Sequence, residues 1–343
     1  MIWSKKASKL HFHMSIVRGN KRQVNDFYGG QIPAELVNDD TIVLKYEYNG
    51  MRKGVHMANV AVLTDSCASI PEELLESLHI RTVAYYIHRG QEVLRDLVTI
   101  QRQEFLRWLI TARFLPTTAS PGPGDYLEAY KQLAKDGREG IISIHMTSKA
   151  SGAFQAATVA QAMMKDEFPN VHIEVVDTRN VSLCQGWMVI EAARGALAGL
   201  SLDRLTDTVM KMIPITRMIQ TADTLKYLYM GGRIGKAQQL MGSVLNIKPL
   251  IGMLDGVIVP LGRAHSRGQA YRQMADMVAE AVGKGKAKIA YVHAGAQHEV
   301  EKIKPLVEAR VDVVESFIAE LSPALAVHTG PGTAGLCYYP VES

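Results

Sequence analysis

From Met57 onward, short apolar runs alternate with longer stretches whose apolar positions recur at helical spacing. Ala58-Asn59-Val60-Ala61-Val62-Leu63 runs straight into Thr64-Asp65-Ser66, as a first strand runs into its loop. The pattern predicts a buried strand over Val60–Leu63, then a helix opened by Pro71 and carrying Leu74, Leu75 and Leu78. Arg81–His88 is β-branched and aromatic and reads as one strand. Arg102–Ala112 places Phe105, Leu106, Leu109 and Ile110 at helical spacing. Beyond a Pro/Gly loop, the pattern gives a helix over Tyr126–Ala134, a strand over Gly140–Met146 and an alanine-rich helix over Ser151–Lys165. A strand over Val171–Val176 and a helix from about Cys184 to Leu200 follow. Strict strand–helix alternation implies a largely parallel sheet with helices on both faces.

The second half has a different rhythm. A helix over Leu202–Met212 leads through Pro214 to a strand over Met218–Thr221. Asp255-Gly256 lies between Ile251–Leu254 and Val257–Pro260, a hairpin signal. A helix over Ala270–Val282, a strand over Lys288–His293, a helix over Gln297–Ala309 and strands over Val311–Ile318 and Cys337–Tyr339 complete the chain. The fold class expected is therefore α/β in two domains. Residues 57–213 would form an N-terminal α/β/α domain with a largely parallel sheet, and residues 214–343 a C-terminal α+β domain with a mixed sheet. Residues 1–56 carry one plausible strand, Thr41–Tyr48; either Met57 is the true start or they form a loosely attached extension, disordered or not native.

Charge changes the picture only at the N-terminus. The chain has 38 Lys/Arg and 34 Asp/Glu, a net of +4. Residues 1–56 hold nine of the basic and five of the acidic residues, so the remaining 29 and 29 cancel. A basic face for nucleic acid is not expected on the folded part. Apolar runs stay below the ~18 residues a membrane helix needs, and no apolar run follows Lys5, Lys6 and Lys9 as in a secretory signal. Cys67, Cys184 and Cys337 are odd in number, far apart and free of any CxxC, so they read as buried free thiols of a cytoplasmic protein.

Candidate chemistry lies in small hydroxyl residues that follow strands. Thr64 and Ser66 follow the first strand, Ser148 and Ser151 the third, and Asp177, Thr178 and Ser182 the fourth. In an open parallel sheet these loops share the edge where ligands bind. Ser151 opens a helix, whose first amides join its hydroxyl in holding an anion. Thr117 and Thr118, in PTTASP, converge on the same edge. Each hydroxyl taken alone also reads as a helix cap; the repetition on one edge carries the functional reading. Arg233 sits in a glycine-rich turn, and His328 precedes another tight loop. Other patterns close. Gly330–Gly335 matches GxGxxG too near the C-terminus for a βαβ unit, Gly232–Lys236 lacks the P-loop spacing, and no GxSxG or HExxH occurs.

Taken together the motifs resemble the DegV family. VAVLTDSCASIP at Val60–Pro71, PTTASP at Pro116–Pro121 and IISIHMTSKASGAFQAA at Ile141–Ala157 carry the resemblance in order. VVDT at Val175–Thr178, LKYLYMGGRIG at Leu225–Gly235, IKPLI at Ile247–Ile251, Asp255-Gly256 and HTGPG at His328–Gly332 complete it. The resemblance implies two α/β domains with a long-chain fatty acid between them. It implies that Thr118 and Ser151 hold the carboxylate and that Arg233 and His328 serve the head group. Together with the strand-edge pattern this makes Thr118, Ser151, Gly152 and His328 the fatty-acid-binding candidates, with Ser66, Thr117, Ser120, Ser148 and Arg233 as secondary candidates. It further implies a non-enzyme that needs no cofactor or metal and presents its ligand to a separate fatty acid kinase subunit. A stand-alone carrier or lipid sensor is the alternative, and a serine-dependent hydrolase using Ser151 with His145 or His328 a more remote one. The sequence departs from the family pattern at Ala119, Ala150 and Ala153-Phe154, where a serine, a leucine and threonine-tyrosine are usual, which bears on acyl-chain preference. An acyl ligand suits these residues physically. Burying ~14 methylenes supplies on the order of 11 kcal/mol, so neutral hydroxyls suffice to orient the head group.

Overall fold

The computed structural model describes residues 13–17, 43–47, 59–241 and 247–341. The chain divides into two compact units, 1–56 and 57–343. In the first, β1 (His13–Val17) pairs antiparallel with β2 (Val43–Glu47), and β2 is the strand expected over Thr41–Tyr48. The rest of the expectation for residues 1–56 lies outside the described residues.

The second unit begins with β3 (Val60–Asp65), α1 (Glu72–Ser77), β4 (Arg81–Val83), β5 (Tyr86–Arg89), β6 (Glu92–Arg95), α2 (Arg102–Thr111) and β7 (Thr117–Ala119). It continues with α3 (Pro123–Lys135), β8 (Gly140–His145), α4 (Ala153–Glu167), β9 (His172–Asp177), α5 (Leu183–Leu197) and α6 (Leu202–Met212). Strands β4-β3-β8-β9 form an all-parallel sheet. Both central strands are buried along their whole length, which is why VAVLTD and GIISIH are continuously apolar near their starts rather than alternating. The single strand expected over Arg81–His88 is in fact two. The chain leaves the parallel sheet after Val83 and re-enters at Tyr86 in a separate antiparallel sheet, β6-β5-β7. Ile110 also departs from expectation: Phe105, Leu106 and Leu109 are buried, whereas Ile110 faces outward.

After α6 come β10 (Arg217–Thr221), α7 (Lys226–Met230), β11 (Lys248–Leu254), β12 (Val257–Ala264), α8 (Arg267–Val282), β13 (Lys286–His293), α9 (Gln297–Glu308), β14 (Asp312–Glu320), α10 (Pro323–Thr329) and β15 (Ala334–Val341). Their sheet runs β12-β11-β10-β15-β13-β14 and is antiparallel except for the β13–β14 pair, the mixed sheet expected. The β11–β12 turn places Asp255 and Gly256 at φ 48° and 80°, the left-handed pair a tight hairpin requires.

Helix α5 is apolar on nearly every side and lies between the sheets. Trp187, wholly buried, packs on Phe317 and Tyr339 at ring distances of 5.1 and 5.7 Å and donates its indole N–H to Cys337 O at 3.2 Å. Arg194 and Lys288 add an ion-pair cluster with Glu191 and Glu315 along the same seam. One hydrophobic cluster therefore extends from Val62 and Ile142 through α5 to Val292 and Tyr339. The cysteines are free and buried as expected, yet Cys184 and Cys337 are neighbours across this seam, which their separation in sequence hides.

Candidate functional site

Loops after β8 and β9 leave the C-terminal edge of the parallel sheet and meet the face of the mixed sheet. A cavity of about 360 Å³ lies between them. Its wall is apolar through Met146 and Val181 on one side, Met218, Ile251 and Met253 on the other, and Leu325 of α10. Its polar groups include Arg233, His328 and Thr329. A second, more polar groove of about 780 Å³ lies against α6 and β9, and Met253 borders both spaces.

The candidate hydroxyls gather around the His328 end. Thr118 lies on β7, opposite Ile87, and its Oγ1 is 2.8 Å from His328 Nε2. His328 occupies the last turn of α10, a helix absent from the sequence reading, whose N-cap Ser322 accepts from the Leu325 amide. Burial, and secondarily the Arg233 charge, lowers the His328 pKa to about 4, so the imidazole is neutral near pH 7. Its Nδ1 is buried without a hydrogen-bond partner.

Ser151 precedes α4 rather than opening it: the N-cap is Gly152 and the first helical residue Ala153. The Ser151 hydroxyl accepts from the Ala153 amide at 3.3 Å and lies 2.5 Å from the Tyr85 phenol oxygen. A Cβ on Gly152 would stand 3.3 Å from Ser120 Oγ, so glycine lets the two loops close on each other. Arg233 is exposed at the cavity mouth and donates to Ala150 O at 3.3 Å and Gly231 O at 2.6 Å, one residue from Ser151. Neither Thr118 nor Ser151 lines the cavity itself; each stands directly behind a residue that does, His328 and Ala150.

The remaining candidates are placed otherwise. Ser66 is buried and accepts from the Tyr85 amide at 3.1 Å, a structural tie. Thr117 is exposed on the edge strand. Ser148 donates its amide to Asp177 Oδ1 at 3.2 Å. Tyr85 had no signal beyond being an aromatic in a strand-like run; only the fold brings it to Ser151. The hydrolase arrangement is not assembled. His328 turns to Thr118, and His145 bonds Ser143 Oγ at 2.7 Å and Asp65 Oδ2 at 3.1 Å. That serine–histidine–aspartate set is fully buried and also receives the Tyr130 hydroxyl, so no substrate reaches it. Among the described residues no cluster of His, Cys, Asp or Glu is arranged to hold a metal ion, and no helix is long and apolar enough to cross a membrane.

Comparison with known proteins agrees with the motif order. The family model described as an uncharacterised protein of the DegV family matches residues 59–341. A DegV domain-containing protein of Streptomyces coelicolor is 32% identical over 279 residues, covering 81% of this chain and 97% of the relative. A Thermus thermophilus structure described as fatty acid binding of a DegV family protein is 28% identical with a TM-score of 0.77, covering 82% of this chain and all of that one. The Bacillus subtilis structure of DegV, described as a fatty acid binding protein, is also 28% identical, with a TM-score of 0.73 over 83% of this chain and all of that one. With its sheets, its loop motifs and these likenesses in agreement over some four-fifths of its length, the chain belongs to the DegV family.

Proposed function

We propose that this protein binds one long-chain fatty acid, its acyl chain in the cavity and its carboxylate at the cluster of Thr118, Ser151, Gly152 and His328. The observation that carries the reading is the 2.8 Å contact between Thr118 and His328 at the border of an apolar cavity of about 360 Å³. That volume falls in the ~300–1,000 Å³ range of small-molecule sites. Apolar walls supply affinity, and a few neutral donors orient a carboxylate without the cost of a buried fixed charge. The Thermus and Bacillus proteins, described as fatty acid binders, support the same ligand class.

The reading extends to a role. The protein presents the bound carboxylate to a separate kinase that phosphorylates it, and residues 57–213 and 214–343 act as the two domains that enclose the ligand. Exposed Arg233 at the mouth, anchored through two carbonyls, supplies a fixed cation for a phosphate or a partner. Lipid extracted from the purified protein should contain a fatty acid by mass spectrometry, and ATP with the cognate kinase should convert it to an acyl phosphate. Absence of any fatty acid would overturn the binding reading. Binding without acyl phosphate would leave a carrier.

A further inference from the structure

The loop that holds Ser151 does not fix its hydroxyl by itself. A serine hydroxyl has one proton to give and two lone pairs. One lone pair takes the Ala153 amide at 3.3 Å. Which way the proton points then depends on whatever occupies the other. The neighbour there is Tyr85, whose phenol oxygen is 2.5 Å away, and either hydroxyl can be the donor.

Tyr85 is held unusually firmly for a residue between two strands. The residue is 4% exposed. Its amide donates to Ser66 Oγ at 3.1 Å and its carbonyl accepts from the Asp96 amide at 2.9 Å. Two residues on, Ile87 pairs with Thr118 across the small sheet. Between them Tyr86 donates to Asp125 at 2.6 Å, and the same carboxylate accepts from the Gly122 amide at 2.8 Å, bracing the loop after Thr118. The three residues from Tyr85 to Ile87 thus tie together both hydroxyls of the proposed site. Burial raises the phenol's pKa well above its ordinary value, so it keeps the proton it needs to donate.

We infer that Tyr85 is a positioning residue for the acid's head group: it donates to Ser151, fills that hydroxyl's second lone pair, and leaves the serine proton to point at the carboxylate. The inference rests on the proposed fatty acid site. A phenol-to-serine-to-carboxylate chain also strengthens each bond by polarising the next. Tyr85 touches no ligand in this arrangement and acts only through Ser151.

The test uses the full-length protein stripped of lipid and titrated with hexadecanoic acid and with hexadecanol. Wild type should prefer the acid. If it does not, the proposed function fails before any variant is examined, which separates that failure from failure of the role of Tyr85. Tyr85→Phe should weaken acid binding by about tenfold, the loss of one hydrogen bond's worth of orientation to a charged group, and alter alcohol binding far less. Ser151→Ala should do at least as much, and the double variant should be no weaker than Ser151→Ala alone, since Tyr85 has nothing left to orient. Unchanged acid affinity in Tyr85→Phe overturns the inference. So does an equal loss for acid and alcohol, which marks a packing role, and so does an additive double variant. Should Tyr85→Phe not fold, Tyr85→Leu gives the same readout with a different core side chain. If neither folds, Tyr85 is a core residue first and the inference is wrong.

Discussion

Replacing His328 by glutamine should remove much of the protein's loss of stability in acid. The imidazole is partly buried against Thr118, and its pKa falls from 6.5 to about 4 in the folded chain. The unfolded chain therefore takes up the proton first. The stabilisation is complete above pH 6.5 and is lost as pH falls from 6.5 towards about 4. A shift of that size corresponds to roughly 3 kcal/mol at ~1.4 kcal/mol per unit, with about 2.5 kcal/mol gone by about pH 4.5. Glutamine keeps a donor for Thr118 but does not titrate. Urea unfolding of lipid-free wild type and His328→Gln, near neutrality and at about pH 4.5, should give a wild-type loss exceeding the variant's by about 2.5 kcal/mol. His293, also lowered to about 4 by burial, contributes with the same sign. Asp96, raised to about 6 by burial, contributes with the opposite sign. Both are present in each protein and cancel in the comparison. Equal losses in the two proteins would show that His328 is not the buried neutral group described.

Arg233→Ala should retain co-purified fatty acid, because the arginine is exposed at the mouth, but lose acyl phosphate formation with the kinase; a lipid-free variant would make Arg233 a primary carboxylate ligand instead. Met253→Ala removes the side chain that borders both the cavity and the neighbouring groove, so mass spectrometry of bound lipid should shift to longer chains, and an unchanged profile would remove Met253 from chain-length selection. A chain beginning at Met57 should unfold cooperatively and bind lipid like the full chain, since the family match begins at residue 59; loss of cooperative unfolding would refute this.

Elements with strong local patterns were legible in the sequence. Val60–Asp65 and Gly140–His145 are apolar runs bounded by polar turns, and Leu202–Met212 has a clean helical stripe. Asp255-Gly256 marks its hairpin because few other residues tolerate both left-handed positions. What escaped was short or non-local. The seven-residue helix at Pro323–Thr329 spans too few turns to show a period, so His328 read as a loop residue. Arg81–Arg89 is uniformly strand-like, and nothing local announces that Ala84 and Tyr85 carry the chain from one sheet to another. The Thr118–His328 contact spans 210 residues and the Cys184–Cys337 contact 153, separations that residue pattern cannot bridge. The motif order named the candidate residues, while the backing of Ser151 by Tyr85 came only with the fold.

The seam along α5 bears on how a ligand gets in and out. Trp187, its aromatic neighbours and the Arg194–Glu315–Lys288 cluster fasten the two sheets together beside the cavity. Halves of a chain swing freely only where little apolar surface joins them, and here the join is continuous core. A wholesale clamshell opening would have to break that core. If the chain binds a fatty acid as proposed, loading and unloading would instead proceed at the cavity mouth, where Arg233 and Gly235 line it. Lipid exchange should then be slow, set by the lifetime of that mouth rather than by affinity alone. On the proposed function, a bound fatty acid would then leave when something engages the mouth, not when the surrounding lipid becomes dilute.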